Sequence, residues 1–167
     1  MPSGKIHDKI ALFTLVPAYI AGQYLFKFDI SQNLIFCSFL LLTQLMFGPD
    51  LDTESIQFKR WGIFRWLWIP YRLLFTHRSG FSHGLILGPL LRIVYFLIIL
   101  IILFSGFKYL VDSLLAFDTA YIMIPYINLF KFSLLKKYLW AAIFGILTGA
   151  AIHTLTDKIF SFFKNIF

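Results

Sequence analysis

The feature that most constrains this chain is the spacing of its charges. Ile10–Phe26 and Ile30–Pro49 contain no Asp, Glu, Lys or Arg, Gly84–Phe107 contains only Arg92, and Tyr138–Thr156 again contains none. Coiled as α-helix at 1.5 Å per residue, even the shortest of these runs covers about 25 Å, close to the hydrocarbon thickness of a bilayer. With 59% hydrophobic and 14% charged residues, too little polar surface remains to cover a water-soluble fold of this size. The pattern therefore predicts one all-α, polytopic membrane domain with about four transmembrane helices, near residues 10–26, 32–47, 84–107 and 138–156. The N-terminal run follows a basic, signal-like start but has no small-residue cleavage motif, so it is expected to stay as a helix.

The charged connections read differently. Between Gly48 and Gly84 stand Trp61, Trp66, Trp68 and Tyr71 among Lys59, Arg60, Arg65, Arg72 and Arg78. Trp and Tyr favour the headgroup level, and basic residues favour anionic lipid, so residues 55–76 are expected to lie in the interface as short helices broken at Pro70. Residues 109–135 read as a second interfacial or re-entrant segment, because the uncharged stretch within them is too short to cross. Arg92 either snorkels to the nearer surface or points into a polar pocket. Gly145 and Gly149 have the spacing of small-residue helix contacts. The net charge of +7 is spread along the borders of the apolar runs and forms no single basic tract, so membrane lipids are the expected partner and nucleic acid is not. Cys37 is the single cysteine, which excludes an internal disulfide.

Four crossings bring the chain back to the side on which it starts. Lys5, Lys9, Lys59, Arg60, Arg65, Arg72, Arg78, Lys158 and Lys164 then share one face, against Lys27, Lys108, Lys131, Lys136 and Lys137 on the other. The richer face is expected in the cytoplasm, with both termini. The same parity has an independent consequence: His7, Asp50, Asp52, His77, His83, His153 and Asp157 all fall near that face.

His153 and Asp157, four apart on the last helix, present their side chains one turn apart on one side. His77 and His83 flank a flexible Ser79-Gly80. Asp50 follows Gly48-Pro49, where a helix must stop, and either caps a turn or faces the histidines. Neutral imidazoles with carboxylates form a mixed nitrogen and oxygen set suited to Zn²⁺, with Mn²⁺ or Fe²⁺ as alternatives, and six candidate ligands exceed the four of one tetrahedral ion, which leaves one or two ions open. Paired ions of this kind clamp phosphates and activate water. Arg78 is the candidate for steadying phosphate oxygens, or contacts a headgroup. Asp52 is a ligand, a partner orienting a histidine, or a general base.

The Met1-Pro2-Ser3-Gly4 opening with His7-Asp8, the Met46 to Asp52 run, Lys59-Arg60-Trp61-Gly62, Pro70-Tyr71-Arg72 with His77-Arg78-Ser79 and Ser82-His83-Gly84, and the terminal His153 to Asp157 resemble an uncharacterised, largely cyanobacterial family of membrane metal-binding proteins. That family looks related to YdjM-type membrane-bound metal-dependent hydrolases and, more distantly, to zinc-dependent phospholipases C and single-strand nucleases. The resemblance implies ligand roles for His7, Asp50, His77, His83, His153 and Asp157, and a plasma or thylakoid membrane as the location. The expected function is metal-dependent hydrolysis of a phosphate ester on a lipid headgroup or similar amphiphile. The alternative is a non-catalytic membrane assembly or regulatory protein stabilised by its metal.

Overall fold

The computed structural model describes residues 4–75, 79, 84–115 and 132–166, and all regular structure among them is helical. Helix α1 (Gly4–Tyr24) runs through Pro17 without interruption. The chain reverses at Lys27, whose φ is 51°. Asp29 then caps α2 (Ile30–Leu45): its carboxylate accepts from the Gln32 backbone N–H at 2.8 Å, and the Gln32 side chain accepts from the Asp29 N–H at 3.1 Å. This reciprocal pair satisfies two of the backbone donors that a helix start leaves open. Helix α1 lies antiparallel to α2. Gln44 Nε2 donates to Thr14 Oγ1 at 3.1 Å near one end, and Asn33 Nδ2 donates to the Tyr19 carbonyl at 2.9 Å near the other.

After α2, Gly48-Pro49 starts a 3₁₀ turn (Pro49–Asp52), followed by α3 (Ile56–Arg60), a second 3₁₀ helix (Gly62–Trp68) and α4 (Ile69–Leu74). Pro70 sits in the first turn of α4, where its missing N–H costs nothing. It begins a helix instead of breaking one. Helix α5 (Leu87–Leu115) and helix α6 (Phe132–Ile166) complete the described chain.

The most extensive packing joins α2 to α6, which run parallel. Lys137 pairs with Asp29 at one end, and His153 reaches Asp50 at the other. Two glycines let the backbones meet: a Cβ on Gly145 would stand 2.4 Å from the Phe36 carbonyl oxygen, and one on Gly149 would stand 2.7 Å from that of Leu40. No larger residue fits there without moving a helix.

Helix α5 is different. Only 17% of its most apolar stretch is buried, against 44% for those of α2 and α6. Its one anchored face carries Ile93, Tyr95, Phe96 and Ile99, packed on a core of Phe47, Leu51, Phe58, Leu67, Trp68 and Tyr71. The rings of Trp68 and Phe96 stack at 5.7 Å between centroids, and the Tyr95 hydroxyl donates to the Leu67 carbonyl. Trp68 and Tyr71, expected at the headgroup level, are thus core residues with no exposed surface, whereas Trp66 is half exposed. The short helices 49–74 form the aromatic platform that holds α5.

Three segments are long and apolar enough to cross a membrane: Ile30–Asp52, Leu87–Leu114 and Lys136–Lys164. Helix α1, expected as a fourth, carries Lys5, Asp8 and Lys9 in its first two turns, which leaves too short an apolar stretch between them and Tyr24. Two expected borders also move. Helix α5 continues past Phe107 because Lys108 and Asp112, four apart, pair across one turn. Helix α6 begins ahead of Tyr138, so Lys136 and Lys137 lie within it. Residues 109–115 and 132–135 therefore belong to long helices, and the rest of the expected 109–135 segment lies outside the described residues.

Candidate metal centre

Four elements converge at one end of the α1–α2–α6 bundle. From α1, His7 faces inward on the same side as Ala11 and Ala18. Gly48-Pro49 stops α2 and turns Asp50 back toward the bundle. From α3, Gln57 is buried, and a Cβ on Gly48 would strike its amide at 2.4 Å, so only glycine leaves room for it. From α6, one turn beyond Gly149, come His153 and then Asp157, both buried.

His7, Asp50 and His153 each offer a donor atom within 4.8 Å of the other two. His153 Nε2 lies 3.4 Å from Asp50 Oδ2 and 3.6 Å from Asp157 Oδ2, while His7 Nε2 lies 3.2 Å from Asp157 Oδ1. The two imidazoles stack at 4.1 Å, inclined by 10°. Yet His153 Nε2 and both Asp157 oxygens, all buried, have no hydrogen-bond partner among the described residues. Groups of this kind, taken out of water and not bonded to each other, carry a desolvation cost that a cation between them would offset. Donors placed 2.0–2.1 Å from a tetrahedral metal stand about 3.3 Å apart, which the His153–Asp50 separation of 3.4 Å matches, while the three donors as a group lie within 4.8 Å.

The surroundings fix the donors. Gln57 Nε2 donates to the Gln44 carbonyl at 2.7 Å and lies 3.3 Å from His153 Nδ1, which holds that edge of the ring and leaves Nε2 facing the carboxylates. Asp50 is braced by the hydroxyls of Ser55 and Thr53, which donate to its carbonyl at 2.8 and 3.2 Å. Arg60 closes the outer wall, donating to Asp8 Oδ2 at 2.5 Å and to the Leu45 carbonyl at 3.0 Å. Between these groups lies a cavity of about 270 Å³, lined by His7, Asp50 and His153 on one side and by Glu54, Lys59 and Arg60 on another.

Of the residues singled out in the sequence, the structure brings together His7, Asp50, His153 and Asp157. Asp52 is buried but lies outside the three-donor group, on the side of Tyr71 and Arg92. His77, Arg78 and His83 lie outside the described residues. Sequence reasoning missed Gln57. Its signal was slight: it is the one uncharged polar residue inside the short basic helix Ile56–Arg60. Gln44 is a polar residue inside an apolar run, and nothing in the sequence marks it as a support of the site.

These features define an all-helical protein that gathers a His/Asp/His donor set at one end of a bundle, with three segments long and apolar enough to cross a membrane. The chain belongs to the family described as uncharacterized metal-binding protein (DUF2227), whose profile matches residues 2–167. No curated protein and no solved structure matches it. The metal-binding family expected from the sequence motifs is thereby found, without a match to YdjM-type hydrolases, phospholipases C or nucleases.

Proposed function

We propose that this protein is a membrane-embedded, metal-dependent hydrolase of a phosphate ester carried by a lipid headgroup or similar amphiphile. The observation that carries this reading is a donor set of three residues opening on a polar cavity with Lys59 and Arg60 in its wall. Three protein donors with room beside them is the pattern of catalytic metal sites, while closed sets of four are typical of structural ones. A bound Zn²⁺, Mn²⁺ or Fe²⁺ would supply Lewis acidity and an activated water. His7, Asp50 and His153 would hold the ion, Asp157 stands 3.2 and 3.6 Å from the Nε2 atoms of the two imidazoles, and Gln57 contacts the His153 ring at Nδ1. Lys59 and Arg60, the latter paired with Asp8, bring cationic groups into a wall that also holds Asp50 and Glu54, so a bound cation is what would make the cavity receptive to a phosphate. His77 and His83 are assigned to a second ion and Arg78 to the phosphate oxygens. A kinship with YdjM-type hydrolases and zinc phospholipases C, the placement of this end in the cytoplasm, and a plasma or thylakoid membrane location belong to the same proposal.

The test is phosphate-ester cleavage by the detergent-purified protein, loaded with Zn²⁺ or Mn²⁺ and offered a panel of lipid phosphates. Cleavage is expected to disappear in His153→Ala and Asp50→Asn. Hydrolysis that persists in both counts against the reading.

One observation favours a second reading. Asp157 stands close enough to both imidazoles to serve as a fourth protein donor, which would close the shell and make the metal structural. Co²⁺-substituted protein distinguishes the two. Its visible spectrum responds to added phosphate only if a coordination position is open.

A further inference from the structure

The stretch from α3 to α4 is apolar on two sides. In a 3₁₀ helix side chains three apart line up, so Ile63 and Trp66 of Gly62–Trp68 form one row, which Ile69 continues and Leu73, four further on in α4, extends. All four are exposed, Ile63 to 80% and Leu73 to 83%, and Phe64 and Leu74 stand exposed beside them. Leu67, Trp68 and Tyr71 face the other way, into the platform that holds α5. Gly62, with a φ of 55°, makes the turn from α3 into this ridge. A helix meeting water carries polar residues on its outer face, whereas a contiguous apolar row there marks a surface that something covers. The charges along the ridge decide what that is. Residues 55–76 hold Lys59, Arg60, Arg65 and Arg72 and no acidic residue. Arg60 is paired with Asp8 and Arg72 with Glu54, but Lys59 and Arg65 are exposed and have no ion pair among the described residues. A second copy laid on the same ridge would bring like charges together. An anionic leaflet supplies both apolar chains for the row and negative headgroups for its edge.

We infer that Gly62–Leu74 is a leaflet-inserted ridge that gathers anionic phospholipid at the metal end of the bundle: Ile63, Trp66, Ile69 and Leu73 enter the acyl chains, and Lys59 and Arg65 hold the headgroup phosphates. This rests on the reading of the chain as membrane-embedded, in which the crossings Ile30–Asp52 and Leu87–Leu114 leave the residues between them at one membrane surface. It does not require hydrolysis, and it adds to the proposed function the class of lipid that is brought to the site. Lys59 belongs both to the edge of the ridge and to the wall of the cavity beside His7, Asp50 and His153, so a headgroup drawn to it stands next to the metal donors.

The experiment places a fluorophore at Leu73→Cys or at Ile101→Cys, each in the full chain carrying Cys37→Ala, and reconstitutes the protein in phosphatidylcholine vesicles. Both positions are exposed, so the label displaces no core, and Ile101 lies on α5 as the reference for membrane embedding. Lipids with brominated acyl chains, either phosphatidylcholine or phosphatidylglycerol, are added as quenchers, and iodide reports access from water. The Leu73 label is expected to be quenched by brominated chains and shielded from iodide. Brominated phosphatidylglycerol is expected to act there at about one fifth of the mole fraction that brominated phosphatidylcholine needs, the preference that one basic residue near an anionic surface contributes. Lys59→Gln/Arg65→Gln is expected to remove that preference while quenching by brominated phosphatidylcholine remains. A Leu73 label open to iodide and untouched by bromine, with the Ile101 label quenched, would overturn the inference and leave the membrane reading standing. A Leu73 label shielded from both quenchers would overturn it in favour of a second copy on the ridge. Equal quenching by the two lipids would overturn the choice of anionic headgroups. Labels at both positions untouched by bromine would overturn the membrane reading and the inference with it.

Discussion

The two ends of the α1–α2–α6 bundle are built on opposite principles. At the Asp29 end, small residues and aromatic rings fill space: Gly145 lies on the α2 backbone, Asn33 covers Gly22, and Phe26, Phe28, Phe36 and Phe144 form one ring cluster. At the Asp50 end, buried polar side chains from four elements meet, and several of their atoms face each other without hydrogen bonds. The first end is held chiefly by close packing, with Asn33 Oδ1 the buried atom there left without a hydrogen bond, and errors of size are what it cannot absorb. The second gathers donors that could share a cation, and errors of charge are what it cannot absorb. A helix pair locked at one end is thus able to hold costly polar groups together at the other.

The largest expected effect falls on the close-packed end. Gly145→Leu forces side-chain carbons into the Phe36 backbone, and overpacking of this severity should cost about 3 kcal/mol or more. Thermal unfolding in detergent should show a marked loss. An unchanged melting temperature would mean that the α2–α6 contact does not set the fold.

At the polar end, His153→Ala should reduce Zn²⁺ affinity beyond the roughly 100-fold that loss of an outer partner costs. Zinc at 100 times its Kd should add about 2.7 kcal/mol to the wild type and almost nothing to the variant. Hydrogen exchange should place that gain near His7 and Gln57, away from Gly22 and Phe36. A uniform gain would erase the proposed contrast between the ends.

Gln57→Leu sharpens the comparison further. It keeps the volume and removes the contact to His153 Nδ1, so metal affinity should fall about 10- to 100-fold. Isothermal titration would resolve this, and an unchanged affinity would show that the ring needs no such support.

The smallest effect is at the exposed Lys137–Asp29 pair. The hydrogen bond from Lys137, helped by the Gln32 backbone N–H, holds the Asp29 carboxyl below its ordinary range. A depressed carboxyl contributes stability that is present above its unfolded pKa and is lost as pH falls through the folded one. Lys137→Met should therefore be slightly less stable than wild type near neutrality and equal to it in strong acid. Equal melting curves at every pH would remove the pair from the account.

How much of this was legible in the sequence follows the same division. The three apolar segments stood out because charges are absent from them, and His153 and Asp157 showed their shared face through a spacing of four. Asp50 was marked by the Gly-Pro that stops α2. Helix α1 was overrated as a crossing, since a count of uncharged residues ignores the charges that the helix itself includes. The burial of Trp68 and Tyr71 was hidden, because an aromatic among arginines reads the same whether it meets lipid or a folded platform. Gln57 was invisible because its role depends on Gly48 and His153, which only the tertiary fold brings to it. Arg92 was seen as an anomaly with two explanations, and its 1% exposure settles that it points inward.

Helix α6 also works as a ruler. From Lys137 to Asp157 it rises about 30 Å, the thickness of a bilayer's oily interior, so a helix with the lysine at one surface carries the aspartate to the other. The donors would then sit at the depth where oil gives way to water. An ion could arrive from solution without passing through fat, and an amphiphile could present its polar end without leaving its leaflet.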